Sequence, residues 1–221
     1  MGLSWSGGKD ATMALDKLIK QGCEVSCLMT AVPMNSDRNY WHSVKLSLLE
    51  EQAKALSIPL VQISCTEEKY SEAYVQGLGN LKEQYNLDAV AYGDLYIEGH
   101  REWGEAVTKA AGLEALYPLW LKKEQAPQAL VEFVASGYKA VIIMTYNGKL
   151  STDWLGRELD QSFCEDIQKV YSCPMGEGGE YHTFVYDGPL FQRKIELKLG
   201  EIVPMTVTHR VEIIDFHTKC K

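Results

Sequence analysis

No two of the six cysteines (Cys23, Cys27, Cys65, Cys164, Cys173, Cys220) stand in a CxxC spacing, and none forms a ligand cluster with zinc spacing. That argues against a structural zinc module or a dithiol redox motif and favours reduced thiols. No apolar run reaches 18 residues, so no membrane-spanning helix is expected. Charged residues interrupt the first 20 positions, so a signal peptide is not expected either, and the reading is a cytoplasmic protein. Proline is scarce at 7 residues. There is no Pro/Ser-rich linker, no low-complexity segment and no internal repeat. Basic residues are outnumbered, 22 Lys and Arg against 30 Asp and Glu, for a net charge of −8. A broad nucleic-acid footprint, which needs clustered cations, is therefore disfavoured, whereas a local pocket for a small phosphate ligand is not.

What the chain does have is apolar content, 46% of 221 residues, enough for one large domain or two small ones. Through the first 120 residues, short apolar runs alternate with helical patterns. "GLSW" (2–5) reads as a strand. From Asp10 onward Ala11, Ala14, Leu15 and Leu18 fall on one helical face, stopped by Gly22. "EVSCLMTAV" (24–32), "PLVQIS" (59–64), "DAVAYGD" (88–94) and "ALYPLW" (115–120) read as strands or extended segments. "SVKLSLLEEQAKAL" (43–56), the face from Tyr70 to Leu81 and the face from Trp103 to Ala110 read as helices. This alternation predicts an α/β fold with a Rossmann-like parallel sheet and helices on both faces. Ligands of such sheets bind outside the carboxyl ends of the strands, which places residues 6–10, 31–42 and 93–101 on one rim. After Trp120 the pattern changes. "QALVEFVASG" reads as a helix, "KAVIIMTY" as a strand, and "KIELKLG" and "VTHRVEIIDFH" as antiparallel strands. The expected division is a domain at 1–121 and a smaller C-terminal α+β domain at 122–221.

Three motifs carry chemistry. In "SWSGGKDA" (4–11), a Gly-rich loop between strand and helix exposes backbone N–H groups beside a helix N-terminus. Ser6, Gly7, Gly8 and Lys9 read as a phosphate cradle, with a tight turn N-capped by Asp10 as the alternative. It is not a Walker A loop, because Asp10 follows Lys9 where Ser or Thr is required. "GDLYIEGHREWGE" (93–105) ends a strand at the same rim and offers Asp94 as a carboxylate of the kind Mg²⁺ takes beside phosphate, the alternative being a plain turn and a solvated helix start. "GEGGEYHTF" (176–184) sets Glu177 and Glu180 among three glycines. Those acids suit an ammonium group or a nucleophile to be oriented, and would act as bases if their pKa were raised; the alternative is a hairpin loop with solvated acids.

"SGGKD" resembles the pyrophosphate loop of the ATP pyrophosphatase superfamily, the adenine nucleotide alpha hydrolase-like enzymes, with Ala11 standing where that group usually has Ser. The three motifs in this order, with "HSVKLSLLEEQAKALSIPL" and "LYPLW" between them, resemble the diphthine–ammonia ligase family over nearly the whole chain. The resemblance implies the short form without extra C-terminal domains. It also implies ATP and Mg²⁺, adenylation of a substrate carboxylate with release of pyrophosphate, and displacement of AMP by ammonia. Carried onto this sequence, it puts Ser6, Gly7, Gly8, Lys9, Asp10, Ala11, Thr30, His42, Gly93 and Asp94 at the nucleotide and gives Asp10 and Asp94 to the metal. Lys9, Asp10, Glu177 and Glu180 would be catalytic. His100, Arg101, Glu105, Gly178, Gly179, Tyr181 and Thr183 would face the substrate, a small or protein-borne carboxylate that is diphthine in archaea and eukaryotes. Trp41, Trp103, Trp120 and Trp154 are read as packing. A membrane partner is not expected, and a homodimer is left open. A tRNA-modifying enzyme built on the same loop and a non-catalytic nucleotide sensor are the competing readings. The first asks for reactive cysteines, of which Cys164 and Cys173 are the nearest pair.

Overall fold

A computed structural model describes residues 1–170 and 172–221. Two compact units emerge, one made of residues 1–6 and 10–120, the other of residues 7–9 and 121–221.

The first unit holds a five-stranded parallel sheet flanked by helices, in the order β3-β2-β1-β4-β5. Its strands are β1 (Gly2–Ser4), β2 (Cys27–Pro33), β3 (Leu60–Cys65), β4 (Ala89–Ala91) and β5 (Glu114–Leu116). The crossovers are α1 (Lys9–Lys20), α2 (Leu46–Leu56), α3 (Tyr70–Tyr85) and α4 (Glu98–Ala110). Strand order reverses on either side of β1, so the ends of β1 and β4 form the topological switch point, where such sheets bind ligands. The predicted face of α1 is the buried one, with Ala11, Ala14, Leu15 and Leu18 all within the core. Several elements are shorter than their apolar patterns. β2 starts at Cys27, because residues 23–26 only lead into the sheet, and α2 starts at Leu46, because the preceding loop is held by its own hydrogen bonds. α2 and α3 end on the left-handed residues Ser57 and Asn86, whose N–H groups return to carbonyls of the last turn.

The second unit holds a four-stranded antiparallel sheet in the order β7-β6-β9-β8. It comprises β6 (Lys139–Tyr146), β7 (Tyr181–Asp187), β8 (Arg193–Pro204) and β9 (Thr208–Cys220), with helices α5 (Ala126–Ala135) and α6 (Gln161–Ile167). The segment expected to be partly helical after β6 resolves into a 3₁₀ turn at Thr152–Trp154 and α6. Asp160 N-caps α6 by accepting the Phe163 N–H at 2.8 Å, and that bond holds its carboxyl below the usual range. The core is aromatic: Phe133 stacks on Tyr138, and Phe163 meets Tyr181 edge to face at 5.6 Å. Among the described residues no helix is long and apolar enough to cross a membrane.

Packing of α3 on β3 allows a stability test. A Cβ built on Gly77 would lie 2.7 Å from Cγ2 of Ile63, a buried residue of β3. Alanine would gain about 1 kcal/mol of helix propensity and lose about 1–3 kcal/mol to overpacking. Gly77→Ala is therefore expected to lower the urea midpoint despite the better helix former. A midpoint at or above wild type would show that Ile63 yields at no cost.

Candidate functional site

In the first unit the site is organised around the end of β1 and the start of α1. Trp5 closes β1 by donating its backbone N–H to the Met29 carbonyl and its indole N–H to the buried Gln52 side chain at 3.0 Å. Ser6 follows, and its carbonyl accepts from Asn39 Nδ2 at 3.4 Å. Asn39 is itself buried and braced, its Oδ1 taking the Val44 N–H at 2.8 Å and its own N–H reaching the Val44 carbonyl. Nothing in the sequence singled out Asn39, and a polar residue inside "NSDRNYWHS" was the only available signal. α1 begins at Lys9, so Asp10 lies in its first turn and is not the residue preceding the helix.

Gly93 lies two residues beyond the end of β4, and a side chain there would be crowded. A Cβ on it would lie 3.0 Å from the Asp10 carbonyl carbon and 3.0 Å from the Ala11 nitrogen, both backbone atoms. The two carboxylates expected at the nucleotide, Asp10 and Asp94, thus hang from backbone segments in contact at the switch point. Asp94 Oδ1 lies 3.1 Å from His100 Nδ1. Tyr92 supports this corner from behind: its hydroxyl pairs with the fully buried Thr108 at 2.7 Å and its ring stacks on Tyr117. Burial pushes the Tyr92 phenol up to about 12, so it stays protonated at neutral pH.

The other first-unit candidates fall in varied places. Thr30 is buried in β2, and His42 lies in the turn after Tyr40, its N–H on the Tyr40 carbonyl. Arg101 and Glu105 pair with each other at 2.8 Å on α4, with Arg101 lying over Trp120 and Tyr117. That gives both a structural contact on the helix surface. Trp103 packs against Tyr74 and Tyr70, as expected of a packing residue. Trp41 does not follow that expectation. It is 65% exposed and has a left-handed backbone, φ 64°, with Tyr40 tilted against it at 6.0 Å and Tyr70 edge to face at 6.3 Å.

The second unit contains the glycines of the loop. Gly7, at φ 83°, occupies backbone space that residues with a Cβ rarely adopt. Its carbonyl accepts the Val185 N–H at 2.9 Å, and the Lys9 N–H donates to Thr183 Oγ1 at 3.0 Å. Lys9 is 2% exposed and its ammonium lies 4.9 Å from the ring centroid of Tyr181. Tyr181 and Thr183, expected to face the substrate, are thus set against the loop. Glu177, Gly178, Gly179 and Glu180 form the turns just ahead of β7. The Gly179 N–H reaches the Gly176 carbonyl, and Glu180 Oε1 accepts from the Cys173 N–H at 3.4 Å. In sequence no Lys or Arg adjoins these acids, but folding brings one: the Lys149 ammonium donates to the Gly178 carbonyl. Glu180 Oε2 and Ser172 Oγ are buried and have no hydrogen-bond partner among the described residues. Both are acceptors that a small N–H donor would satisfy.

Comparison with known proteins assigns the chain to a family. A family model described as Diphthamide synthase N-terminal domain matches residues 2–115, and one described as Diphthamide synthase C-terminal domain matches residues 126–215. The chain belongs to the diphthamide synthase family. The resemblance carried by the three motifs therefore holds across both units. Relatives include the Diphthine--ammonia ligases of Bos taurus and Homo sapiens, each 27% identical over 223 residues, covering 90% of this chain and 82% of theirs. That of Danio rerio is 27% identical over 221 residues, with 90% and 86% covered. These relatives are named as ligases, and the chain is an enzyme of that class.

The contact at Gly93 yields a prediction. Gly93→Ala must push the Asp10–Ala11 backbone, and overpacking of this kind costs about 1–3 kcal/mol. If the corner holds a nucleotide, ATP affinity measured by calorimetry should fall about tenfold or more. An unchanged affinity in a folded variant would separate this corner from the nucleotide.

Proposed function

We propose that this family member is an ATP-dependent, AMP-forming carboxylate–ammonia ligase, with diphthine, the substrate named for its relatives, as the acceptor class. The observation that carries the reading is the buried Lys9 in a glycine loop leading into α1; within the first unit, Asp10 and Asp94 hang from backbone segments in contact at the switch point. A buried ammonium at a helix N-terminus suits a polyanion. On this reading Ser6, Gly7, Gly8 and Lys9 hold the β- and γ-phosphates of ATP. Asp10 and Asp94 are hard oxygen donors of the kind Mg²⁺ takes, one or two carboxylates with water and phosphate completing the shell, so they fit that ion. Bound there, Mg²⁺ would supply charge neutralisation at the phosphates.

The chemistry then needs no nucleophilic side chain. A carboxylate oxygen of the substrate attacks the α-phosphorus, the α–β phosphoanhydride bond breaks and pyrophosphate leaves. Ammonia attacks the acyl carbon of the mixed anhydride, the bond to AMP breaks and an amide forms. The protein's share is positioning and charge stabilisation. Glu177 and Glu180 belong to the acceptor side, where ammonia is oriented and its surplus proton removed. The unpartnered Glu180 Oε2 and Ser172 Oγ support this, since ammonium offers only donors. In this division residues 1–121 serve ATP and 122–221 serve the acceptor, with Gly7–Lys9 the exception that clusters with the second unit. The sulfur-transfer alternative is weakened by Cys164, whose buried thiol is pushed up and so less available as thiolate.

Two measurements test the reading. Chromatography of a reaction with ATP, ammonium and a panel of carboxylates, diphthine included, should give AMP and pyrophosphate, released only when the right carboxylate is present. ADP and phosphate as the only products would place the protein outside the adenylating enzymes, and binding without turnover across the panel would favour the sensor. Glu180→Gln should bind ATP as wild type does and lose substrate-dependent AMP formation about tenfold or more. Loss of ATP binding in the folded variant would overturn the assignment of Glu180 to the acceptor side.

A further inference from the structure

Gly7 and Gly8 bring no side chains with which to hold a shape, and glycine loses more backbone entropy on ordering than any other residue. A loop built from them needs a template. That template is β7, which lies at the end of the strand order β7-β6-β9-β8 with β6 on one side only. On its other side, the Val185 N–H holds the Gly7 carbonyl at 2.9 Å. Two residues earlier, Thr183 Oγ1 takes the Lys9 N–H at 3.0 Å. Two residues earlier again, the Tyr181 ring lies under the Lys9 ammonium. The spacing of two is the strand's own period, so one stretch of β7 meets the loop three times. All three residues are at most 2% exposed. Opposite them β6 carries a register shift between Ile142 and Met144, facing Thr183 and His182. An irregularity of that kind re-aims side chains beside a functional site.

We infer that Thr183 is the positioning residue of the phosphate loop: its hydroxyl, acting through the Lys9 amide, sets the loop in the shape that accepts the phosphates of ATP. This rests on the phosphate-loop reading above and assigns Thr183 to the ATP side, together with Tyr181, and not to the substrate. The "GEGGEYHTF" segment is then divided within itself. Its turn, with Glu177 and Glu180, serves the acceptor, and the strand that follows serves ATP. The hydroxyl is what matters. Valine would fill the same space in the same strand, but it offers no acceptor and would leave the Lys9 N–H without the bond it makes here. A loop already shaped loses less on binding than one that must be ordered by its ligand.

The test compares Thr183→Ser with Thr183→Ala in the full chain, because the two differ by the hydroxyl alone, and adds Thr183→Val. Calorimetric titration with ATP and with inorganic pyrophosphate reads the loop directly, and thermal unfolding reports general damage. The expected result is that the Ala and Val variants bind both ligands about tenfold more weakly or worse, which is about 1.4 kcal/mol. The Ser variant should recover the affinity even where its melting temperature is lowered. Equal binding by the Ser and Ala variants would overturn the inference, since packing and not the hydroxyl would then set the loop. Lys9→Ala in the same titrations separates the two levels. If Lys9→Ala binds like wild type, the phosphate-loop reading itself fails. If Lys9→Ala is impaired while Ser and Ala behave alike, only the role of Thr183 fails.

Discussion

The bond from the Lys9 amide to Thr183 Oγ1 joins residues 174 positions apart, and the rest of the candidate site depends on it. A loop of two glycines and a buried lysine is unstable by its own means. Its backbone is loose, and its one long side chain carries a charge into a place where charge is costly. The strand that receives the loop addresses both difficulties. It fixes two backbone groups of the loop and puts an aromatic face beside the ammonium, which a cation prefers to an aliphatic wall. What remains is a cation with a strong preference for an anionic ligand, held at the start of α1.

The first unit has a close contact of its own. A parallel sheet with its reversal at β1 brings the ends of β1 and β4 side by side, and Gly93 lets the backbone after the loop come within van der Waals limits of the strand end. Asp10 and Asp94 follow from that contact. Two carboxylates on adjacent segments repel each other, a repulsion that a divalent cation bound there would relieve. Glu177 and Glu180 stand in the turn ahead of β7, where the Lys149 ammonium donates to the Gly178 carbonyl.

Much of this was legible in the sequence because it depends on local pattern. The apolar face of α1, the alternation that gives a parallel sheet, and the antiparallel β8 and β9 all follow from periods of 3.6 or 2 within a few residues. The motifs were legible for the same reason, since glycines and acids in short runs are visible without a fold. Tertiary pairing was not. Nothing in "YHTFV" says that its alternate residues meet residues 7 and 9, so a local reading groups Tyr181 and Thr183 with the acids beside them. Lys149 and Asn39 act at sequence distances of 29 and 33, which no local period encodes. Trp41 shows the converse failure. Large aromatics are usually buried, and here a left-handed backbone in a hydrogen-bonded loop turns one outward.

The most direct measurement is an amide NMR titration of the full chain with inorganic pyrophosphate, followed by ATP. If residues 6–9 form the phosphate site, the amide resonances of Gly7, Gly8 and Lys9 shift first and furthest with pyrophosphate alone. ATP then extends the changes to Gly93 and Asp94 without reaching the turn that holds Glu177 and Glu180. Resonances of the loop that stay in place while those of the turn move would contradict the account.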